Sequence, residues 1–427
     1  MTAELKTMRL SDITFDEGLY PRLEGHDPAT VQDYARDIEQ IEAAGKFISV
    51  NGAGQLVDGR HRMLAYRKLA DGGDPEIRVY WYPVTSPLES FRLANKLQEK
   101  GRPLTTESRQ ASAKRMYALG DDSQKSIAEW LDVAPSTVST WLSRTIKEEK
   151  ERKKEKAHAM WLACATLEEM ADACDVAVKT ADNWTDEFCT STVAEEMQNW
   201  QGFAPPIYNV WKQQTKSAGA DHFGNSEPRW VENLLHLYTA AADIVVDPFA
   251  GSGSTIDVCK KRGRRYYVAD RKPVVEREHE IRQHDLIGDD GSIRLPRVPR
   301  WKDVKLVYLD PPYWKQAEGQ YSTDPTDLGN MSLEDFNAAL AGIIKAFATK
   351  LTDAYIALII QPTQWKAPDR QYTDHVGDML RAVKRPVDMR YSAPYESQQC
   401  TAQMVEWAKE HKRCLVLTRE IIVWRVP

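Results

Sequence analysis

Three apolar runs in the second half of the chain each end in an aspartate. They are DIVVDPF (243–249), RRYYVAD (264–270) and VKLVYLD (304–310), and helical stretches separate them. Their apolar residues are consecutive instead of alternating with polar ones, which is typical of strands covered by helices on both faces. Two further runs, AYIALIIQP and CLVLTREIIVWRV, extend the pattern. The sequence therefore predicts a doubly wound α/β domain over residues 199–427.

The first of these strands continues into VVDPFAGSGST (245–255). Gly251 and Gly253 allow a sharp turn and a close approach of the backbone to a ligand, and a helix follows directly. Asp270 ends the next strand, about 20 residues on, where an acid binds a ribose diol. The loop matches neither the six-residue dinucleotide fingerprint nor the Lys-Ser/Thr ending of a phosphate cradle. With Asp247, these features favour a ligand that has an amine and a ribose, such as S-adenosylmethionine.

The third run continues into LDPPYW, in which two prolines follow Asp310. Proline has no amide donor and a fixed φ, so the backbone must leave the sheet as a stiff corner. An exocyclic amine of a base becomes a better nucleophile when its two N–H groups are accepted by a carboxylate and a carbonyl. Asp310 and the carbonyl of Pro311 are candidates for these acceptors. The alternative is an ordinary turn after a strand.

DPFAGSGST and LDPPYW together resemble the cofactor and catalytic motifs of the DNA amino-methyltransferases. This resemblance implies a Rossmann-like domain that uses S-adenosylmethionine and no metal. It also implies that Tyr313 stacks on a flipped base, and that the leading aspartate favours N6 of adenine over N4 of cytosine, which stays open. The implied catalytic residues are Asp310, Pro311, Pro312 and Tyr313; the implied cofactor-binding residues are Asp247, Pro248, Phe249, Gly251, Gly253, Asp270 and Asp285.

A helical repeat lies upstream, because SIAEWLDVAPSTVSTW (126–141) and EMADACDVAVKTADNW (169–184) share identical residues at an offset of 43. The identical pairs are Ala128 with Ala171, Asp132 with Asp175, Val133 with Val176, Ala134 with Ala177, Thr137 with Thr180 and Trp141 with Trp184. Each copy has a helix, a tight DVA turn and a second helix, which is the pattern of a helix-turn-helix. In DNA-binding versions, the first residues of the second helix contact bases in the major groove. The alternative is a helical bundle with Trp141 and Trp184 in its core. The predicted DNA-contacting residues are Ser136, Thr137 and Ser139 in the first copy and Lys179 and Thr180 in the second.

The segment LVDGRHRMLAYRKL (56–69) resembles the conserved box of ParB-like N-terminal domains, an α+β fold. The resemblance covers roughly residues 8–145 and implies that Gly59, Arg60 and Arg62 bind the phosphates of CTP or another nucleotide. His61 departs from the family by interrupting the usual pair of arginines. A helix start with free amides and added cations is a reasonable phosphate site, although a solvated basic face explains the same residues.

These features predict five segments: a ParB-like domain (1–104), a helix-turn-helix (105–146), a charged helical linker (147–158), a second helix-turn-helix-like segment (159–198) and a methyltransferase domain (199–427). The net charge of −6 gives no global indication of nucleic-acid binding. No Cys-x-x-Cys pair or apolar membrane span occurs in the sequence, which favours a cytoplasmic protein without a metal site. The predicted partner is double-stranded DNA, with homodimerisation left open.

Fusions of these two kinds of domain resemble modification enzymes of bacteria and phages, including those of restriction-modification systems. We expect the first half to supply the DNA recognition that the catalytic domain lacks, since no large recognition insert follows Asp310. A different class of function stays open: a ParB-like DNA-binding regulator whose methyltransferase domain is inactive or only senses the cofactor. The intact Asp310–Tyr313 motif argues against that alternative.

Overall fold

The computed structural model describes residues 2–23, 25–99, 104–120, 123–212, 227–315, 323–364, 371–394 and 402–427. The chain divides into two compact units, Met1–Arg152 and Lys153–Pro427. Both units combine helices with sheets, so the predicted α/β class, with an α+β part preceding the doubly wound domain, is confirmed.

The first unit is built on a four-stranded mixed sheet of order β1-β4-β2-β3. The strands are β1 (Glu4–Arg9), β2 (Ile48–Val50), β3 (Leu56–Asp58) and β4 (Glu76–Trp81). The helices are α1 (Pro28–Arg36), α2 (Ile38–Ala43), α3 (Arg60–Ala70), α4 (Pro87–Glu99), α5 (Thr106–Ala118), α6 (Gln124–Leu131) and the first part of α7 (Pro135–Leu162). A separate apolar cluster, which includes Ile127, Val138 and Leu142, holds α6 and α7 together.

The sequence repeat corresponds to a structural repeat of two helix pairs, α6–α7 and α8–α9, with α8 at Leu167–Cys174 and α9 at Val178–Ala194. The first helix of each pair ends at an aspartate in the left-handed conformation, Asp132 (φ 48°) and Asp175 (φ 50°). Aspartate tolerates this conformation better than most residues, which explains its presence at both C-caps. Thr166 begins α8 with a capping box to Glu169.

The second unit contains a seven-stranded sheet of order β10-β11-β9-β8-β5-β6-β7. Strands β5 to β9 are parallel, whereas β11 is antiparallel to both β9 and β10. The strands are β5 (Ile244–Asp247), β6 (Arg265–Asp270), β7 (Arg282–Gln283), β8 (Val304–Leu309), β9 (Ala354–Ile360), β10 (Val387–Pro394) and β11 (Thr418–Val426). The remaining helices are α10 (Glu196–Asn199), α11 (Pro228–Tyr238), α12 (Ser254–Lys261), α13 (Leu333–Ala348), α14 (His375–Val383) and α15 (Ala402–Glu410).

Both faces of this sheet are covered, as the consecutive apolar runs predict. Val246 belongs to a core cluster with Ile344 and Phe347 of α13. Its neighbour Val245 belongs to a second cluster with Trp230 of α11. Successive side chains of a strand point to opposite faces, so the two clusters lie on opposite sides of the sheet.

The second helix pair packs into the unit that contains this sheet. Trp184 and Phe188 of α9 belong to the same apolar cluster as Trp230 and Val245. The run 147–158, predicted as a charged linker, lies inside the single helix α7. Lys153 of this run donates to the backbone and carboxylate of Asp175 at 3.2 Å, so the run also contacts the turn between α8 and α9. Among the helices of the described ranges, none is long and apolar enough to cross a membrane.

Candidate active site at the carboxyl edge of the parallel sheet

The acids predicted from the three apolar runs lie at one edge of the sheet. Asp247 is the last residue of β5, Asp270 is the last residue of β6, and Asp310 directly follows β8. These strands are parallel neighbours, so their carboxyl ends meet at the same edge. The chain runs from β5 to β6 on one side and reaches β8 on the other, and ligands of open α/β sheets bind at such a switch point.

The glycine turn between β5 and α12 has the conformation that its sequence predicts. Gly253, the N-cap of α12, has a φ of 82°, which strongly favours glycine. A Cβ atom there would lie 3.1 Å from the guanidinium Nη1 of Arg277. That same nitrogen donates to the carbonyl of Gly253 at 3.0 Å. Arg277 thus holds the turn from outside, a role that sequence analysis missed because 24 residues separate the two partners.

Asp247 supports the turn from inside and is only 1% exposed. One carboxylate oxygen accepts from the amide of Phe249 at 2.9 Å, and the other accepts from the hydroxyl of Thr255 at 2.6 Å. Burial is the main cause that raises the pKa of Asp247 to about 7; the charges of Asp310 and Asp270 act in the same direction, and the two hydrogen bonds act against it. These contacts place Asp247 beneath the loop as its organiser.

Asp270 is more accessible than Asp247 and bonds to the backbone on both sides of the site. One of its oxygens accepts from the amide of Gly251 at 2.9 Å, and the other accepts from the amide of Lys272 at 2.9 Å. An acid at the end of this strand is where the ribose hydroxyls of a bound nucleoside are accepted in such folds. The arrangement fits the cofactor predicted from the sequence: a glycine turn opening a helix, with an acid beside it. Pro248 is buried in the loop, and Phe249 packs against the apolar core.

The catalytic candidates lie together after β8. Pro311 is buried, whereas Asp310, Pro312 and Tyr313 are partly exposed. The hydroxyl of Tyr313 donates to the carboxylate of Asp310 at 3.1 Å. The guanidinium of Arg419 on β11 lies 5.2 Å from the centre of the Tyr313 ring, within range of a cation–π interaction. Asp310 and Tyr313 are therefore in direct contact at the carboxyl edge of the sheet, directly after β8.

Asp285, the last of the predicted cofactor-binding residues, lies two residues after β7 and is bound by an arginine. Arg271 binds the Asp285 carboxylate at 2.9 Å and, through a second nitrogen, Asp324 at 2.7 Å. The same nitrogen donates to the hydroxyl of Thr326 at 3.0 Å. Arg271 thus connects the β6–β7 end of the site to the chain that follows the catalytic motif. Its position directly after Asp270 was the available sequence signal.

The two predicted DNA-contacting helix starts differ in their charge. Ser136 and Ser139 on α7 are exposed, Thr137 is partly exposed, and the first turns of this helix contain no acidic residue. On α9, Lys179 is exposed but bound to Asp182 at 2.8 Å, and Thr180 is partly exposed. The first turns of α7 therefore present hydroxyl groups with no acid among them, and the exposed Asp132 lies in the turn before this helix.

The candidate phosphate site of the first unit has only part of the predicted arrangement. Gly59 is the left-handed N-cap of α3, with a φ of 96°. The Arg62 guanidinium, however, donates to the carbonyls of Lys46 and Phe47 at 2.9 and 2.7 Å and to Asp58 at 2.8 Å. Arg60 lies 4.4 Å from the Phe15 ring. Arg62 is thus engaged within the protein. In the part of the chain that the structure describes, no cluster of His, Cys, Asp and Glu could hold a metal ion.

Part of the amino-acid sequence is similar to known DNA methylases. Residues 119–278 match the family N6_N4_Mtase, described as DNA methylase. The chain is also 34% identical over 65 residues to the Type II methyltransferase M.XycI of Xanthomonas campestris pv. cyanopsidis. That alignment covers 15% of this chain and 22% of M.XycI, so the chain matches about a fifth of the length of this curated relative. The matched family range includes Gly251, Gly253 and Asp270 and ends before Asp310.

Solved structures of two kinds are also similar in part. An rRNA methylase from Streptococcus thermophilus is 10% identical over 48% of this chain and 99% of its own, with a TM-score of 0.29. The C-terminally truncated chromosome-partitioning protein ParB from Caulobacter crescentus, complexed to the centromeric parS site, is 15% identical. It covers 43% of this chain and 99% of its own, with a TM-score of 0.23. At such TM-scores, neither likeness bears on function. The family match and M.XycI make this part of the chain similar to DNA methylases of the N6/N4 kind.

Proposed function

We propose that this protein is a DNA methyltransferase that modifies the N6 amine of adenine with S-adenosylmethionine as the methyl donor. The observation that supports this most directly is the meeting of Asp247, Asp270 and Asp310 at the switch point between β5 and β8. A glycine turn and a ribose-binding acid lie on one side of that point, and a polar catalytic corner lies on the other. The modification of a base amine requires both halves.

The cofactor half is formed by the turn between β5 and α12, by Asp270 at the end of β6 and by Asp285 after β7. Asp270 would bind the ribose hydroxyls, and the glycine backbone of the turn would let the ligand approach closely. Asp247, bonded to Phe249 and Thr255, keeps this turn in place. When bound, S-adenosylmethionine supplies a methyl group on a cationic sulfonium. That positive charge suits a site edged by the carboxylates of Asp270 and Asp310.

The catalytic half works by accepting hydrogen bonds from the target amine. Its lone pair is delocalised into the ring, and two acceptors at its N–H groups turn it toward tetrahedral geometry. The Asp310 carboxylate would accept a hydrogen bond from one N–H, and the Pro311 carbonyl would accept one from the other. Tyr313 would stack on a base that has left the duplex, because an amine inside the helix cannot reach this corner. The leading aspartate favours adenine, with N4 of cytosine as the alternative.

The first unit is proposed to assist DNA recognition, mainly through the start of α7. Ser136 and Ser139 are exposed there, without a nearby acid in the first turns of the helix. A nucleotide at Gly59, Arg60 and Arg62 is a further part of the proposal, and its binding would require Arg62 to exchange its bonds to the Lys46 and Phe47 carbonyls for the phosphates. In the regulator alternative, the same DNA-binding surface would operate without methyl transfer.

The direct test is to express the chain in a host without DNA methylation and to measure methylated nucleosides in digested genomic DNA by mass spectrometry. We expect N6-methyladenine with the wild type and none with Asp310→Ala. Asp172→Ala, which removes an exposed acid from α8, is the matched control and should retain methylation. N4-methylcytosine would correct the base. Absence of any methylated base, with DNA binding intact, would favour the regulator.

A second test addresses the first unit. Deletion of residues 1–152, the boundary at which the chain divides into its units, should abolish site preference while S-adenosylmethionine binding persists. Sequencing of DNA methylated by each protein would reveal the preference. An unchanged site preference in the truncated protein would contradict the proposed role of the first unit.

A further inference from the structure

A buried threonine contacts the chain just beyond the catalytic corner. Thr363 follows β9, the parallel neighbour of β8, and is fully buried. Its hydroxyl donates to the backbone carbonyl of Trp314 at 3.1 Å. Trp314 is the residue after Tyr313, so this bond ends within the motif itself. Nothing in the amine chemistry described above requires Thr363.

A buried histidine completes the contact. Nε2 of His375, at the start of α14, lies 2.9 Å from the Thr363 hydroxyl oxygen. A hydroxyl has one proton, and the Trp314 carbonyl can only accept, so Thr363 donates to Trp314 and accepts from His375. This order assigns the Nε2–H tautomer to His375. Burial lowers the pKa of His375 to about 4, which keeps the ring neutral at physiological pH.

Trp314 is held at two further points and is only 5% exposed. Its indole N–H donates to the carbonyl of Met331 at 3.0 Å, and its ring meets His375 edge to face at 5.7 Å. Directly after it, Lys315 has a φ of 56°, a left-handed conformation that non-glycine residues adopt only when their surroundings enforce it. The corner Asp310–Tyr313 is therefore fixed by β8 on one side and by Trp314 on the other.

We propose that Thr363 and His375 are positioning residues for the catalytic corner, acting through the carbonyl of Trp314. They set the direction in which the Pro311 carbonyl and the Asp310 carboxylate face the target amine. This inference rests on the proposed methyltransferase function. It adds a buried chain of hydrogen bonds, His375–Thr363–Trp314, whose members are assigned no contact with the cofactor or the base.

The test compares Thr363→Val, which keeps the shape but removes the hydroxyl, with Thr363→Ser, which keeps the hydroxyl. We expect Thr363→Val to lower kcat about tenfold, since a small misplacement of reacting groups is costly. The Tm of Thr363→Val should also fall, because the buried Trp314 carbonyl and the His375 N–H lose this partner. The KM for DNA and the Kd for S-adenosylmethionine should change little, and Thr363→Ser should restore both kcat and Tm. Equal losses of kcat and Tm in both variants, or full activity in Thr363→Val, would overturn the proposal.

A readout that does not depend on activity separates this inference from the proposed function. Hydrogen–deuterium exchange of peptides covering residues 304–315 should be faster in Thr363→Val than in the wild type or Thr363→Ser. If Thr363→Val exchanges faster but the wild type has no methyltransferase activity, the proposed function is contradicted. The hydrogen-bond chain would then still stabilise the conformation of residues 310–313. If Thr363→Val exchanges at the wild-type rate and the wild type is active, only the positioning role of Thr363 and His375 is contradicted.

Discussion

The phenol of Tyr313 donates a hydrogen bond of 3.1 Å to the carboxylate of Asp310, so two proposed catalytic residues are partners in this structure. A base amine that approaches Asp310 must compete with this phenol, and a base that stacks on Tyr313 must share its ring with the Arg419 guanidinium. The hydrogen bond is therefore present before substrate binds. Tyr313 thus has two separate roles: its hydroxyl bonds to Asp310, and its ring is the proposed stacking surface.

Substitution of Tyr313 distinguishes these roles. Tyr313→Phe keeps the ring and releases Asp310, so we expect kcat within about threefold of the wild type. Tyr313→Ala removes the stacking surface and should lower kcat/KM about tenfold or more, since base–aromatic stacking contributes roughly 1–3 kcal/mol. Steady-state kinetics on a duplex that contains the target site provides the measurement. Equal losses in the two variants would assign the function to the hydroxyl instead.

A second prediction concerns the pH dependence of stability. Burial raises the pKa of Asp247 to about 7, so the folded protein keeps a proton that the unfolded chain loses near its usual value of 3.8. This group's contribution to the free energy of unfolding is therefore fully present below about pH 4 and is lost as pH rises through about 7. Asp247→Asn should flatten that part of the Tm profile between pH 5 and pH 8. Parallel profiles for the two proteins would contradict the raised pKa.

The strand-end acids show what the sequence could predict about the site. Consecutive apolar residues indicated parallel strands, and parallel strands bring their ends to one edge, so the meeting of Asp247, Asp270 and Asp310 followed from pattern alone. The helical repeat was visible for a similar reason. The same local turn recurs at Asp132 and Asp175, and local turns leave local sequence signals.

Long-range partners were beyond the reach of that reasoning. Trp184 packs into the cluster that contains Trp230 and Val245, although the pattern of α9 gave only an apolar face without its partner. Arg62 likewise matched a phosphate-binding motif by position, but its guanidinium reaches back to Lys46 and Phe47. Periodicity identifies which side of an element is buried. It does not identify the residues on the other side of that contact.

A third prediction concerns the Arg271 contacts at Asp285 and Asp324. A lysine has a single ammonium and cannot reproduce the planar fork that reaches both carboxylates. Arg271→Lys should accelerate hydrogen–deuterium exchange in residues 323–331 about fivefold, which corresponds to roughly 1 kcal/mol. Arg294→Lys, the same change in an exposed pair with Asp290, is the matched control. Equal exchange in both variants would show that Arg271 does not hold this segment.

The last prediction compares the two helix starts proposed to contact DNA. Ser139→Glu places a negative charge on the exposed start of α7 and should weaken binding of duplex DNA at least about tenfold, because it repels phosphates and replaces a polar contact. Ser191→Glu adds the same charge to an exposed position near the end of α9 and is the control.

Lys179→Ala tests the second helix start and should change the affinity less than about twofold. Its ammonium is already bound to Asp182 at 2.8 Å, and Asp186 and Glu187 make the surrounding helix acidic. Fluorescence anisotropy of a labelled duplex, at one fixed salt concentration, measures all three variants. A larger loss with Lys179→Ala than with Ser139→Glu would move the DNA contact to α9, and with it the recognition surface into the unit that contains the catalytic corner.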